Sequence, residues 1–255
     1  MATTVDLNSD LGEGFGAWRA GDDEAMLSIV SSANIACGVH AGDPEIMAKS
    51  FAIAHRNGVA VGAHPGYADL WGFGRRRIPC SAGEVERLVA YQIGAAAGLA
   101  AYAGHAVTYV KAHGALANVA SEEPDIARAL ARAVRGVDRN LALLAIALTE
   151  QGRAGEKEGL AVYQEVFADR GYTEAGQLVS RKEPGALLTD ADAAAARALA
   201  MVREGAIITT SGARLRTAVD SICVHGDSAH AVGMARRLRE MLEQAGVALR
   251  PFTAR

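Results

Sequence analysis

The sequence predicts an α/β protein whose parallel strands close, or nearly close, into a barrel. Short apolar runs alternate with longer segments of helical periodicity along the chain, and this alternation is typical of βα units. The chain has 255 residues and no break in composition, and β/α barrels of this length are often undivided. We therefore expect one domain over residues 1–255, with a doubly wound open sheet as the alternative architecture.

The apolar runs and the helical patterns give a definite order of elements. The seven predicted strands cover residues 3–9, 32–37, 59–64, 107–113, 141–147, 161–168 and 221–225. The predicted helices cover residues 22–30, 44–57, 82–103, 123–136, 189–204 and 228–245. Residues 169–188 lack clear periodicity, and a structureless stretch of that length is usually a lid, a binding loop or an interface.

Capping signals mark the starts of several helices. Ser81 and Glu84 form an S-x-x-E capping box, in which each side chain bonds the backbone N–H of the other residue. Asp43 precedes a proline, which is the pattern of an N-cap with proline at the first helical position. Thr189 and Asp192 form a weaker version of the capping box.

Composition restricts the possible partners and the compartment. The formal net charge is −3, so no basic field favours nucleic acid or an anionic membrane. The first residues contain neither a basic nor an apolar leader region. Three cysteines without a C-x-x-C motif favour a reducing compartment over a disulfide framework. We expect a cytoplasmic protein that binds neither nucleic acid nor a membrane.

Polar side chains recur at the ends of the predicted strands. Residues two apart in a strand share a face, so Asn8 and Asp10 project together, as do Lys111 and His113. The other strand-end candidates are His40, Asp43, His64, Glu165, Asp169, His225 and Asp227. In β/α barrels the loops after the strands build the active site at one end. We therefore expect one shared polar pocket, although Asp43 and Asp227 are equally suited to helix capping.

Two motif searches limit the role of nucleotides. No lysine follows a glycine, so the chain has no Walker A loop. Residues 12–17, GEGFGA, match G-x-G-x-x-A, but Asp10 and Glu13 would lie where a pyrophosphate must bind. Arg75 follows the aromatic loop DLWGFG, where it could clamp a carboxylate or lie in solvent.

A metal site is one alternative reading of the same residues. Asp10, His40 and His64 could supply a carboxylate and two imidazoles and leave a coordination position open. The sequence contains no H-E-x-x-H or other compact ligand motif, so a divalent metal stays open. Besides an enzyme that works within a complex, two functions are therefore considered: a metal-dependent amide hydrolase or deacetylase acting alone, and a non-catalytic binding subunit.

An ordered set of motifs identifies a family. From about residue 5 to residue 240 the chain contains DLNSDLGEGFG, SSANIACGVHAGDP, GAHPGYADLWGFGRR, YQIGA, VKAHGALAN, EVFADRGY and CVHGDS. In this set the chain resembles the LamB/YcsF family. The resemblance implies an irregular seven-stranded β/α barrel similar to that of sugar deacetylases. It also implies ATP-dependent ring opening of 5-oxo-L-proline to L-glutamate, with partner B and C subunits of a 5-oxoprolinase, ATP being used by the complex.

The resemblance also carries site residues over to this sequence. The catalytic candidates are Asp10, Glu13, His40, His64, Lys111 and His113. The substrate-binding candidates are Asn8, Asp43, Arg75, Glu165, Asp169, Arg170, His225 and Asp227. The fourth-strand motif departs from the family's usual VKPHGALYN at Ala112 and Ala117, which bears on pocket rigidity and substrate fit.

The chemistry of a lactam fits these residue types. Opening the ring needs a polarised carbonyl, an activated water and a proton for the leaving nitrogen. Asp10 or Glu13 could act as the base, and a catalytic histidine could serve as acid or oxyanion donor. Lys111 or an arginine could hold the substrate carboxylate. The alternative for Lys111 is an internal salt bridge with Glu165 or Asp169.

Overall fold

The computed structural model describes residues 3–226 and 231–254 and shows a closed barrel of seven parallel strands. The barrel strands are β1 Thr4–Leu11, β2 Ser32–Ala36, β3 Ala60–His64, β4 Val107–Val110, β5 Ala142–Ile146, β6 Val162–Phe167 and β9 Ser221–Cys223. Each pairs in parallel with its neighbour, and β9 pairs with both β6 and β1. This closure confirms the predicted barrel and excludes the open sheet.

Helices surround the barrel, and three short strands lie outside it. The helices are α1 Asp23–Leu27, α2 Pro44–Asn57, α3 Ala82–Tyr102, α4 Gly114–Glu122, α5 Pro124–Val137, α6 Glu150–Lys157, α7 Ala191–Glu204 and α8 Ala231–Gln244. The antiparallel pair β7 Ala206–Ile208 and β8 Arg214–Arg216 forms a separate ribbon. Strand β10 Ala248–Leu249 pairs with the start of β1, and a 3₁₀ turn spans Phe252–Ala254. Within the described residues, no helix is long and apolar enough to cross a membrane.

Strand β1 shows how the barrel separates an apolar layer from a polar interior. Val5 and Leu7 are buried in the apolar core between strands and helices. Asp6 and Asn8 point the other way, and both are fully buried inside the barrel. Asp6 accepts hydrogen bonds from serine hydroxyls. Because strand side chains alternate, one strand supplies both the core and the polar interior.

The tight barrel interior depends on a glycine in β3. The ring of Tyr109 is fully buried and its hydroxyl donates to Oδ1 of Asn34 at 2.7 Å. A Cβ atom at Gly62 would lie 2.3 Å from that ring. Phe252 packs against Tyr109 with ring centroids 4.8 Å apart and helps fill the barrel near the starts of the strands. Any larger residue at position 62 would displace the tyrosine.

Two of the three capping predictions are confirmed. The Ser81 capping box opens α3 with both reciprocal hydrogen bonds. The Asp43 carboxylate caps α2 and accepts from the backbone of Glu45 at 2.9 Å. The prediction at Thr189 is wrong, because the carboxylate of Asp190 reaches the backbone three residues on and caps α7 instead.

Several element boundaries differ from the prediction. The predicted helix 123–136 is α5, but α4 precedes it and Glu123 ends one helix and begins the next. Proline at 124 disfavours helical geometry at the residue before it, which separates the two. Strand β4 ends at Val110 rather than 113, although Lys111 N still bonds Ala63 O. The short polar helix α6 and the β7–β8 ribbon were not predicted, because neither has a clear apolar period.

Candidate active site

A cavity of about 380 Å³ opens at the carboxyl ends of the barrel strands. One side is formed by Asp10, Glu13, Lys111 and His113, which follow or end strands; we call it the strand-end wall. Another part of the lining is formed by Arg170, residues 177–182 and His225; we call it the segment wall. The aperiodic stretch noted in the sequence therefore lines the same cavity as the strand ends.

The strand-end wall and His64, which lies behind it, bring together two imidazoles and two carboxylates. His64 Nε2 lies 3.3 Å from Asp10 Oδ2. His113 Nδ1 lies 3.0 Å from His64 Nε2 and 3.3 Å from Glu13 Oε1. One ligand atom from each of these four residues lies within 4.8 Å of the others. The four therefore form a compact set of nitrogen and oxygen donors.

The backbone fixes which nitrogen of each imidazole faces this set. His64 Nδ1 lies 2.8 Å from Lys111 O, and His113 Nε2 lies 2.8 Å from Phe73 O. A carbonyl oxygen only accepts, so each of these nitrogens carries the proton. In the neutral rings, two lone pairs then face each other beside two carboxylates. A shared proton or a divalent cation would complete the arrangement, and nitrogen and oxygen donors with backbone-bonded imidazoles suit such a cation.

Lys111 is buried in an ion-paired network. Its Nζ lies 2.9 Å from Asp10 Oδ1, 2.8 Å from Glu165 Oε1 and 3.2 Å from Cys223 Sγ. Burial by itself lowers the pKa of Lys111, but the carboxylates outweigh it and raise that pKa well above its ordinary value. The internal salt bridge with Glu165, the alternative drawn from the sequence, is thus present. The N–H donors of Lys111 are occupied before any substrate arrives.

The same network keeps Asp10 ionised. Burial raises the pKa of Asp10, yet His64 and Lys111 together hold it well below its ordinary value. For Glu165 the balance is reversed: burial raises its pKa more than Lys111 lowers it. Of these two carboxylates, Asp10 is the better placed to act as a base, because it also lines the cavity.

His40 supports the cluster from behind. Its ring stacks on His113 with centroids 3.8 Å apart, and its two nitrogens have no hydrogen-bond partner among the described residues. Burial, then the neighbouring His113 and His64, lower the pKa of His40 well below its ordinary value, so the ring is neutral. A Cβ atom at Gly66 would lie 2.7 Å from His40 Nδ1, so glycine is required beside it.

The segment wall carries a second imidazole–carboxylate pair. His225 Nδ1 lies 2.6 Å from Asp169 Oδ2, and Arg181 Nη2 lies 2.7 Å from His225 Nε2. A guanidinium only donates, so Nε2 accepts and Nδ1–H donates to Asp169. His225 is therefore a neutral imidazole, oriented by a carboxylate and with its basic nitrogen covered by Arg181.

Arg170 fastens this wall to the barrel. Its Nη2 donates to Val179 O at 2.7 Å and its Nε to Ala186 O at 3.2 Å. Burial, followed by the charge of Arg181, lowers the pKa of Arg170 to about 10. The side chain thus holds residues 177–186 in place and adds positive charge to the cavity.

Comparison with known proteins identifies the family. The sequence model of the LamB/YcsF family matches residues 5–255. The chain belongs to the LamB/YcsF family. It is 61% identical over 249 residues to the A subunit of 5-oxoprolinase from Azorhizobium caulinodans, covering 98% of each chain. It is 58% identical over 252 residues to the A subunit from Gluconobacter oxydans, covering 99% of each.

Solved structures agree with this LamB/YcsF assignment. The lactam utilization protein from Thermus thermophilus is 43% identical, with a TM-score of 0.92 over 97% of this chain and 99% of that one. The catalytic domain of a peptidoglycan N-acetylglucosamine deacetylase from Eubacterium rectale is 8% identical, with a TM-score of 0.54 over 98% and 89% of the chains. The second match shows the fold alone, and confirms the expected similarity to deacetylase barrels.

The structure brings most of the LamB/YcsF motif residues to one place. Those that line the cavity are Asp10, Glu13, Arg75, Lys111, His113, Arg170 and His225. Those that lie behind it, bonded or packed to these, are Asn8, His40, His64, Glu165 and Asp169. Their individual roles stay predictions.

For several other residues, the structure differs from the expectation drawn from the sequence or does not test it. Asp43 caps α2 and is not among the residues that line the cavity, so its capping role is the one observed. Asp227 lies outside the described residues. Of the three metal ligands considered as an alternative, Asp10 and His64 belong to the compact donor set, which Glu13 and His113 complete, whereas His40 lies outside that set. Arg181 was missed, and its only signal was its position in the aperiodic segment.

Proposed function

We propose that this protein opens the lactam ring of 5-oxo-L-proline to L-glutamate, as the A subunit of an ATP-dependent 5-oxoprolinase. It would act with partner B and C subunits. Two relatives at about 60% identity are named as A subunits of 5-oxoprolinase, and a structural neighbour is named a lactam utilization protein. The observation that carries the proposal is the cavity itself, a space for a small molecule that is lined by one member of each of two imidazole–carboxylate pairs, Asp10 with His64 and His225 with Asp169.

The strand-end wall would activate water. Asp10 is held ionised by Lys111 and His64 and reaches the cavity, so it can accept a proton from a water that attacks the lactam carbonyl. Such general base catalysis typically contributes about 10²–10⁴-fold. His113, stacked on His40, lines the same space; its Nε2–H is bonded to Phe73 O, so its unprotonated Nδ1 can accept a proton.

The segment wall would supply the proton for the leaving nitrogen. His225 presents Nε2 to the cavity while Asp169 holds Nδ1–H. A carboxylate in this position fixes the tautomer and stabilises the imidazolium once the ring is protonated. Nε2 carries no proton in this arrangement, so it would first take one from solvent, and the imidazolium would then give that proton to the leaving nitrogen and return to the neutral ring. We assign acid catalysis at the leaving nitrogen to His225 in this protonated form, with Asp169 positioning it.

The strand-end wall also fits a divalent cation. Asp10, Glu13, His64 and His113 would hold it, because two unprotonated ring nitrogens and two carboxylates converge there. A bound cation would polarise the carbonyl and lower the pKa of a coordinated water. The same observation supports a second candidate function, a metal-dependent amide hydrolase acting alone. Metal analysis of the purified chain, with turnover of simple amides, tests that candidate.

Nucleotide use is assigned to the complex rather than to a loop of this chain. The sequence lacks a Walker A motif, so we expect the isolated chain to have little or no lactamase activity. The test is glutamate release from 5-oxo-L-proline and ATP, measured with and without the B and C subunits. We expect turnover only in the complete mixture. Robust ATP-dependent turnover by the chain alone would contradict this assignment, and no turnover in any mixture would reject the proposed function.

A further inference from the structure

An aromatic side chain to which the proposed reaction assigns no role lines the cavity and contacts both of its walls. Phe167 ends β6 and is 6% exposed. Its ring centroid lies 5.3 Å from Lys111 Nζ, on the strand-end wall, and 5.7 Å from the ring centroid of His225, on the segment wall. The backbone N–H of Phe167 donates to the hydroxyl of Tyr172 at 2.8 Å, which fixes the end of the strand.

Two aliphatic side chains of β5 extend this apolar surface. The register pairs Leu144 with Tyr163 and Ile146 with Glu165. Because side chains two apart in a strand share a face, Leu144 and Ile146 point to the barrel interior, as Phe167 does. Leu144 is 1% exposed, Ile146 is 6% exposed, and both line the cavity. We call Leu144, Ile146 and Phe167 the apolar floor.

Several polar side chains that line the same cavity are engaged by other groups of the protein. Lys111 Nζ is ion-paired to two carboxylates. Gln151 Nε2 donates to Ala117 O at 2.8 Å and to Ser121 Oγ at 3.1 Å, and the Ser121 hydroxyl also donates to Ala117 O. A polar group of a ligand placed on the apolar floor would therefore find these donors occupied.

The substrate of the proposed reaction has one polar and one apolar edge. The carbonyl, the ring N–H and the carboxylate of 5-oxo-L-proline are polar, whereas its two ring methylene groups are not. The attacked carbonyl has to face Asp10 and the leaving nitrogen has to face His225, so the ring that joins them lies beside Phe167. Burying an apolar edge on an apolar surface strengthens binding by about fourfold for each methylene group.

We propose that the apolar floor binds the methylene edge of the lactam, and that Phe167 is the main contact. This inference rests on the proposed function and names the part of the cavity that selects lactams by the polarity of their ring edge. The alternative role of Phe167 is structural, since its ring also packs against the ion-paired Lys111. A binding contact changes the affinity for the lactam, whereas a structural contact changes only the free energy of unfolding.

Binding of 5-oxo-L-proline to the full-length chain and to the complete complex tests the contact. Phe167→Ala should weaken binding by about fivefold to fifteenfold, the value of two buried methylene groups. Phe167→Leu keeps an apolar side chain and should weaken binding by about twofold to fourfold. Phe252→Leu is the matched control at an aromatic residue near the strand starts, and should lower stability while changing affinity by less than about twofold. Unchanged affinity in folded Phe167→Ala would overturn the proposal and leave Phe167 the structural role.

A pair of substituted lactams tests the polarity of the floor in the wild type, where no variant has to fold. The probes are 4-methyl-5-oxo-L-proline and 4-hydroxy-5-oxo-L-proline of the same ring configuration, whose substituents are nearly equal in size. A buried hydroxyl without a hydrogen bond is costly, so the methyl probe should bind at least about tenfold more tightly. In Phe167→Ala water can reach the substituent, and the ratio should fall below about threefold. A wild-type ratio near one, tighter binding of the hydroxyl probe, or binding of neither probe would overturn the proposal.

Turnover by the complete complex with ATP separates this proposal from the proposed function. In Phe167→Ala, KM for 5-oxo-L-proline should rise in step with the loss of affinity, whereas Phe252→Leu should leave KM unchanged. Glutamate release with an unchanged KM in Phe167→Ala would reject the apolar floor and leave the proposed function standing. The expected binding pattern without glutamate release by the wild-type complex would reject the proposed function alone.

Discussion

The two walls of the cavity are built in opposite ways. The strand-end wall stands on barrel strands, and its residues are ion-paired and hydrogen-bonded to one another. Apart from His225, which follows β9, the segment wall stands on residues 169–188, which contain isolated bridges but no helix or extended strand. Its contacts run largely from arginine side chains to backbone carbonyls, as for Arg170 and Arg197.

The difference suggests a division of labour. Chemistry needs groups held within narrow limits of distance and angle, and rigid strands hold them best. Recognition can use a loop, whose sequence is free to change without disturbing the barrel. We therefore expect changes on the strand-end wall and at His225 to lower kcat or stability, and changes in residues 177–182 of the segment wall to act mainly on substrate affinity.

The largest effect should follow from Asp10→Asn. The carboxylate is replaced by an amide of nearly equal volume that cannot accept a proton as a base. We expect kcat of the complete complex to fall by about 10²–10⁴-fold, measured as glutamate release. Asp43→Asn is the matched control, since Asp43 caps a helix away from the cavity, and should change kcat by less than about twofold. Similar losses of kcat in both variants would contradict a specific catalytic role of Asp10.

The next effect concerns stability rather than affinity. Lys111→Met leaves the buried Asp10 and Glu165 carboxylates without their cation, and breaking a buried pair in this way costs about 3–5 kcal/mol. The free energy of unfolding should fall by that amount in denaturant titrations, with KM of the remaining folded enzyme unchanged. Lys182→Met, at an exposed position on the other wall, should change it by less than about 0.5 kcal/mol. A raised KM with full stability would restore Lys111 as the substrate clamp.

A smaller effect on stability is expected from Asp6, which lies inside the barrel below the strand-end wall. Burial raises the pKa of Asp6 from 3.8 to about 6. The folded state therefore holds this proton more tightly than the unfolded state, and the stability from this group falls as pH rises from about 4 to about 6. The expected loss is about 3 kcal/mol. Asp6→Asn should remove this part of the pH dependence of the free energy of unfolding between about pH 4 and pH 6. An unchanged pH dependence would contradict the assignment to Asp6.

The strand-end wall was largely readable from the sequence, because strand geometry has a period of two. Asn8 with Asp10, and Lys111 after an apolar run, were placed correctly on that basis. The role of His40 was not readable, since stacking on His113 instead of facing the donor set depends on loop geometry after β2. The salt bridge of Lys111 was predicted only as an alternative to a substrate contact. Burial and the distances to its partners decide between the two, and neither can be read from the sequence.

The segment wall could not be predicted beyond its existence. Residues 169–188 have no period, so no pattern indicates which side chain turns inward. Arg181 meets His225 across 44 residues of sequence separation, so the contact depends on the tertiary fold. Helix α6 and the β7–β8 ribbon were absent from the prediction for a related reason. Short polar elements depend on tertiary packing more than on the local sequence pattern.

The most direct test of the division between the walls compares two variants in two measurements. Equilibrium binding of 5-oxo-L-proline and single-turnover glutamate formation are measured for Asp10→Asn and Arg181→Met in the complete complex. The account predicts that Asp10→Asn binds the lactam within about threefold of wild type but forms glutamate about 10²–10⁴-fold more slowly. It predicts that Arg181→Met loses affinity and keeps more of the rate at saturation. Loss of binding in Asp10→Asn, with a normal rate at saturation, would contradict it.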